Sequence, residues 1–351
     1  MKAAVFDEFR GRIDIRSVDD PVAQAGGVVI KVEANGVCRS DWHGWMGHDR
    51  SIPLPHVPGH EMAGTIVAID PAVVQFAEGD RVTVPFVLGC GICPQCRAGN
   101  QHVCDNQYQP GFSGWGAFAE YVALPYADVN LVSLPDSMEF STAAGLGCRF
   151  ATAFRAVVDQ GEVSEGSQVA VWGCGGVGLS AIMIASALGA TVVAVDIDDE
   201  ALAMAGACGA DFVVNAGDDH GQSDPVKVVR ELSAGGVDVS IDALGSTGTA
   251  VSSIRSLRTR GRHIQVGLMI GDDAKPVIPM WRLHANEIEL YGSHGMQAWR
   301  YPAMLEMVAD GRLAPNTLVT STVNLSDGID HLTNMASFPG TGFVVVDSFD
   351  A

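Results

Sequence analysis

Apolar and polar positions alternate in short runs over the first third of the chain. VVIKVEA (28–34), GTIVAI (64–69), DRVTVPF (80–86) and AEYVAL (119–124) are set apart by glycine and proline. Period-two runs with that punctuation predict strands, and together they predict a β-rich, barrel-type domain from Lys2 to Val132. From about Cys148 the rhythm changes: SQVAVWG, TVVAVDI and DFVVN are apolar strands, and GLSAIMIASALG and EALAMAGACG are the helices between them. VDVSIDALG (237–245) and GRHIQVGL (261–268) extend the series. Such alternation predicts βαβ units on a parallel sheet. After Glu289 the rhythm stops. A helix is expected from Tyr301 or Pro302 to Gly311, then a strand in GFVVVDS (342–348). The tail is expected to fold back on the first domain, giving one domain of residues 1–147 and 290–351, with residues 148–289 inserted between its parts.

Composition agrees with a folded α/β protein of two domains: 351 residues, 47% hydrophobic, with 41 glycines. Charge narrows the partners. Lys and Arg number 21 against 41 Asp and Glu, a formal charge of -20. That field repels nucleic acid and anionic membrane surfaces, and suits a small neutral substrate. An anionic cofactor would need local basic groups or a helix N-terminus. The start of the chain breaks its apolar stretch with Asp7, Glu8 and Arg10, so it has no signal-peptide core, and a cytoplasmic location is expected. The longest apolar region, Ala181 to Val195, holds Ser186, Gly189 and Thr191 and runs into Asp196, Asp198, Asp199 and Glu200. It reads as a buried helix and a strand, not a membrane span.

Half of the eight cysteines fall in GCGICPQCRAGNQHVC, where Cys90, Cys93, Cys96 and Cys104 have the spacing C-x2-C-x2-C-x7-C. Thiolates this close can complete a tetrahedral shell around zinc with no open position, which makes the site structural. An iron-sulfur cluster is the chemical competitor, but the bacterial ferredoxin run has a different last spacing and a proline after its final cysteine. A second set is dispersed. Cys38 lies in GVCRSDWH, His60 in PGHEMAG and Cys148 in GLGCRFAT. Two thiolates, one imidazole and an open position form the donor set of a catalytic zinc in alcohol oxidation. Their spacing is long-range, and each residue alone also reads as a packed cysteine or a satisfied histidine.

GVCRSDWH, then P-x-x-PGHEMAG, EGDRV, the four-cysteine lobe and GxGxxG follow one another across nearly the whole chain. In that order they resemble the zinc-dependent alcohol dehydrogenases of the medium-chain dehydrogenase/reductase family. The resemblance implies a GroES-like catalytic domain and a Rossmann coenzyme domain with a doubly wound parallel sheet. It implies two zinc ions per chain, the catalytic one held by Cys38, His60 and Cys148, with Glu61 beside the metal as a transient ligand. Asp41 would orient His60, which also makes chemical sense because it fixes the tautomer and raises ligand basicity. Ser40 and His43 resemble the family's proton relay; His48 and His56 read as bystanders. Polyol dehydrogenases of the family often have a carboxylate in place of the third thiolate, so Cys148 favours the alcohol dehydrogenase branch. Action on a polyol, an amino-alcohol or a formaldehyde adduct is the alternative. Zinc-free quinone reductases of this fold lack the four-cysteine lobe, and a non-catalytic zinc and nucleotide-binding protein would have no use for the relay.

VAVWGCGGVG puts Gly173, Gly175 and Gly178 between a strand and a helix, with an acid, Asp196, at the end of the next strand. That context is the dinucleotide fingerprint. Asp196 suits ribose hydroxyls, and Asp196, Asp198 and Asp199 would repel a 2′-phosphate, so NAD is expected rather than NADP. By resemblance Arg39 contacts the pyrophosphate with Gly176, Val177 and Thr152 back the nicotinamide, and Val266 and Leu268 neighbour it. One position departs: the family commonly has Gly-Arg where this chain has Gly342 and Phe343. Trp45, Phe86, Trp115 and Met269 fall on segments that line the family's substrate cleft, which suggests an apolar or aromatic alcohol, primary or secondary. Cys174 and Cys208 read as packing residues. The resemblance also implies a homo-oligomer, a tetramer more than a dimer, with KPVIPM (275–280) extending the sheet across a two-fold axis.

Overall fold

The computed structural model describes residues 1–217, 224–337 and 340–349. The chain divides into two compact units: Met1–Ala151 with Gly295–Glu306 and Pro315–Ala351, and Thr152–His294 with Met307–Ala314.

The first unit begins with a two-stranded ribbon, β1 (Lys2–Val5) and β2 (Asp14–Ser17). The strands β3 (Val28–Gly36) and β4 (Glu61–Ile69) form its centre, antiparallel, with Gly36 opposite Glu61. Val28, Ile30 and Val32 of β3 meet Met62 and Ile66 of β4 in one core cluster. Each such aliphatic side chain contributes about 1.5–3 kcal/mol by leaving water. β5 (Arg81–Thr83), β6 (Tyr121–Leu124) and β7 (Val132–Ser133) complete this part of the sheet. The run expected as a strand over 80–86 stops pairing at Thr83, because the chain then turns to the segment carrying Cys148: the Phe86 N–H donates to the Gly147 carbonyl at 3.0 Å.

The second unit is a six-stranded parallel sheet: β8 (Gln168–Trp172), β9 (Thr191–Asp196), β10 (Phe212–Asn215), β11 (Val237–Asp242), β12 (Leu257–Gln265) and β13 (Glu289–Gly292). Its spatial order, β10-β9-β8-β11-β12-β13, is that of the doubly wound dinucleotide-binding fold. The helix Gly176–Ala187 is apolar all round and buried from Gly178 to Ala185, as a core helix of such a fold should be.

The tail then rejoins the first unit. β14 (Val319–Asn324) pairs with β15 (Phe343–Ser348), and Val345 and Val346 of β15 lie opposite Gly36 and Asn35 of β3.

Both unit borders differ from the 147/148 and 289/290 joints expected from the pattern. Residues 148–151 stay with the first unit because the π-helical turn Leu146–Phe150 is bonded to β4 through Arg149 and Glu61. Residues 290–294 stay with the second because β13 is the outer strand of its sheet, paired to β12.

Candidate metal centre

The pairing of Gly36 with Glu61 sets the geometry of the site. Cys38 leaves β3 at that end and precedes the helix Arg39–Trp45, while His60 immediately precedes β4. The turn Leu146–Phe150 brings Cys148 to the same place. One ligand atom from each of Cys38, His60, Glu61 and Cys148 lies within 4.8 Å of every other. All four residues are buried.

Asp41 organises the group. Its Oδ1 accepts from the Gly59 N–H at 2.9 Å and from His60 Nδ1 at 2.7 Å, and its Oδ2 accepts from the Cys38 N–H at 3.3 Å. His60 Nδ1 is therefore committed. Its Nε2 is buried with no hydrogen-bond partner among the described residues. A buried ring nitrogen normally costs about 1–3 kcal/mol when left unpaired, so an orphan aimed among two thiols and a carboxylate fits a metal ion. The sulfurs are matched to that use. The hydrogen bond from Cys148 holds the Cys38 thiol well below its ordinary range against the effect of burial, with His60 and Arg149 adding to it. Cys148 correspondingly keeps its proton until a cation draws it off.

Glu61 is held by a residue that the sequence reading did not single out. The Arg149 backbone N–H donates to Glu61 Oε1 at 3.0 Å, its Nε to both oxygens at 2.9 and 3.0 Å, and its Nη2 to Oε2 at 2.5 Å. The two side chains are 8% and 0% exposed. Burial opposes the Arg149 charge, yet the carboxylate beside it pushes the guanidinium further up. Burial pushes the Glu61 carboxyl up, and Arg149 opposes that. Removing one member of such a pair leaves the other charged and buried, at a cost of about 3–5 kcal/mol. The guanidinium also lies 3.9 Å from the ring centroid of Phe343. The signal was visible in GLGCRFATAF as a lone arginine in an apolar run.

Ser40 and His43 lie three residues apart on the helix Arg39–Trp45 and so share a face. Burial, then the neighbouring Arg39 and His48 side chains, push His43 down to about 4, so it is neutral near pH 7. Its Nδ1 meets the Nδ1 of His48 at 2.8 Å. That residue is exposed, giving His43 a polar contact at the surface. His56 is buried against the Phe6 ring. Arg39 donates to the Met335 carbonyl at 2.9 Å and stacks on Trp42, half-buried.

Of the pocket aromatics in this unit, Phe86 joins Cys38, Val87 and Cys148 in one apolar cluster, with its ring 6.0 Å from that of His60. Trp45 does not join it. Its indole N–H donates to the Gly11 carbonyl and its ring packs on the core formed by β1 and the helix Leu325–Thr333, facing a separate cavity of about 650 Å³ with Arg10, Ile329 and Thr333. Trp115 is at the surface with its N–H on the Pro55 carbonyl, and Phe112 of the same loop packs against His60 instead, at 5.4 Å.

Cys90, Cys93, Cys96 and Cys104 also bring their sulfurs within 4.8 Å of one another, all buried. Backbone amides serve the sulfurs: Cys90 N–H and Asn106 N–H donate to Cys104 Sγ, and Cys96 N–H to Cys93 Sγ. The Ile92 amide is the main cause that brings Cys90 down to about 6. Asn130 fixes the root of the lobe by bonding both backbone groups of Gly89, and Trp299 and Gln297 donate to the Gly99 carbonyl.

In the second unit Gly173 has φ +94°, and a Cβ on Gly178 would collide with the Gly173 carbonyl, so both glycines are obligatory. Around Gly175 there is open space, as a backbone that receives a pyrophosphate requires. Gly176 and Val177 open the following helix, whose N-terminus suits an anion. Asp196 ends β9 and accepts from the Cys174 N–H at 2.5 Å and from the Ile197 and Asp198 amides, which ties the acid to the glycine turn. Thr152 is buried, with its hydroxyl unpartnered among the described residues. Val266 donates to the Asp242 carbonyl, Leu268 is exposed and Met269 half-buried. Cys174 is buried; Cys208 is partly exposed, and burial pushes it to about 11.

The alcohol dehydrogenase GroES-like domain matches residues 24–136, and the zinc-binding dehydrogenase domain matches residues 176–310. An alcohol dehydrogenase of Geobacillus stearothermophilus is 33% identical over 334 residues, 95% of this chain and 96% of the relative. An NAD-dependent alcohol dehydrogenase of Sulfurisphaera tokodaii is 33% identical over 97% of this chain and 98% of its own. Among solved structures, the alcohol dehydrogenase of Thermus sp. ATN1 superposes with a TM-score of 0.88 at 30% identity over 99% of each chain. With its two donor clusters, its six-stranded parallel sheet and this end-to-end likeness, the chain belongs to the zinc-type alcohol dehydrogenases of the medium-chain dehydrogenase/reductase family.

Proposed function

We propose that the protein is an NAD-dependent alcohol dehydrogenase that interconverts a primary or secondary alcohol with its aldehyde or ketone. The observation that carries the reading is the buried trio Cys38, His60 and Cys148, with one ring nitrogen of His60 held by Asp41 and the other unpartnered among the described residues. Zinc held by these three would supply Lewis acidity that makes the substrate hydroxyl a stronger acid, and NAD the hydride acceptor. Asp41 holds the imidazole in the tautomer that leaves Nε2 free to ligate. Ser40 takes the substrate proton, and His43, neutral because its partial burial disfavours the charged form, carries it outward. Phe86 and Phe112 keep water from the reacting side and favour an apolar or aromatic substrate. The second zinc, on Cys90, Cys93, Cys96 and Cys104, is structural, giving two per chain. Gly173, Gly175, Gly176, Val177 and Gly178 receive the pyrophosphate side of the cofactor, and Asp196 selects NAD over NADP by charge.

The active form is a homo-oligomer, a tetramer rather than a dimer. In support, the outer strand β13 exposes Leu290 and Tyr291, and Val277, Met280 and Trp281 near it in sequence are 87%, 62% and 71% exposed. A cytoplasmic location goes with this reading; among the described residues no helix is long and apolar enough to cross a membrane. A panel of aliphatic, aromatic, polyol and amino alcohols, assayed with NAD and with NADP by the absorbance of the reduced cofactor, tests substrate and cofactor together. Turnover of apolar alcohols with NAD is expected. Turnover confined to polyols, or preference for NADP, would overturn the assignment.

A further inference from the structure

The metal group contains four donors, not three, and a closed shell of four protein ligands is the mark of a structural zinc. If Glu61 ligated permanently beside Cys38, His60 and Cys148, no position would remain for a substrate. We propose that Arg149 is a positioning residue that holds the Glu61 carboxylate out of the coordination shell and so keeps the fourth position open. The proposal rests on the reading of Cys38, His60 and Cys148 as a catalytic zinc site.

Four N–H···O contacts from Arg149, one from its backbone and three from its side chain, converge on the two Glu61 oxygens. A carboxylate so engaged has few lone pairs left to offer a metal. The clamp is itself fixed. Phe343 lies against the guanidinium at 3.9 Å, and a Cβ on Gly145 would meet the Phe343 ring at 2.7 Å. On the other side Gly36, paired with Glu61 across the sheet, leaves room for both groups: a Cβ there would collide with Glu61 Oε2 and stand 2.9 Å from Arg149 Nη2. Arg149 also follows Cys148 directly, so the turn that supplies the third ligand sets the clamp with it. Arg149, Phe343, Gly36 and Gly145 act as one device.

The test uses the full-length protein with cobalt(II) in place of zinc and does not depend on turnover. The visible spectrum, its response to added imidazole, and the rate of cobalt loss to a chelator are measured for the wild type, R149M, R149K and R149M/E61Q, with folding checked by circular dichroism. In the wild type imidazole shifts the cobalt bands. In R149M the freed Glu61 fills the position: the imidazole shift disappears and cobalt loss slows by about tenfold or more. R149M/E61Q, which removes both charges, returns to wild-type behaviour. R149K keeps the charge without the two-pronged contact and falls between; it carries the comparison if R149M does not fold. Wild-type behaviour in R149M and R149K, or a defect that persists in R149M/E61Q, would overturn the proposal while leaving the zinc site standing. A cobalt spectrum that Cys38→Ala leaves unchanged would overturn both.

Discussion

Cys90 and Cys104, the outer ligands of the lobe, are 14 residues apart, whereas Arg149 and Glu61, beside the other cluster, are 88 apart. The lobe has four like donors, with sulfurs that accept from nearby backbone amides. The other cluster mixes two thiols, an imidazole and a carboxylate, assembled by the β3–β4 pairing and the turn Leu146–Phe150. Its imidazole and its carboxylate are held by Asp41 and Arg149, save for one orphaned ring nitrogen. A site completed by its own loop is suited to hold the chain. A site completed by the fold, with a donor withheld, is suited to exchange ligands.

Removing one ligand from each cluster should sharpen that contrast most. Cys148→Ser is expected to cut turnover about a thousandfold or more, the equivalent of several kcal/mol of lost charge stabilisation, with the circular dichroism spectrum intact. Cys104→Ser should do the reverse, lowering the unfolding temperature and zinc retention while the folded fraction still turns over. Equal loss of stability in both variants would erase the distinction.

His43→Gln comes next. It should lower kcat by about 100-fold, the low end for a lost proton-transfer group. Because burial brings His43 to about 4, the wild-type kcat profile should show no limb from this residue near 6.5. The stability effect has a definite sign. The unfolded chain protonates this residue at its ordinary 6.5 and the folded one only at about 4, so His43 contributes stability above pH 6.5 that is lost as pH falls towards 4. Denaturant midpoints of wild type and His43→Gln should diverge over that window, the variant losing less.

Asp196→Ser carries the smallest effect. It should raise the ratio of kcat/KM with NADP to that with NAD by roughly tenfold, about 1.4 kcal/mol. Weaker binding of both cofactors is also expected, since Asp196 supports the glycine turn through Cys174.

What was legible in the sequence follows the same division. The lobe, the glycine turn and the βαβ rhythm are local patterns, and each stands where its pattern put it. Cys38, His60 and Cys148 had no informative spacing of their own and were found only through the motifs around them. Side-chain direction was the weak point. Trp45 and Trp115 were taken for pocket residues from their segments, yet the indole of one is bonded to the Gly11 carbonyl and packed on another core, and the loop sends Phe112 towards His60 in place of the other. Arg149 escaped because a charge in an apolar run acquires meaning only when its partner, far off in sequence, is seen beside it. Phe343, an evident departure from the family, becomes intelligible only as the surface under that arginine.

The most direct test of the division is zinc content measured with turnover in the wild type and in Cys38→Ala. Two zinc ions per chain are expected in the wild type and one in the variant, which should stay folded and lose alcohol oxidation. A variant that keeps its activity with one zinc, or keeps both ions, would contradict the assignment of catalysis to the site formed by Cys38, His60 and Cys148.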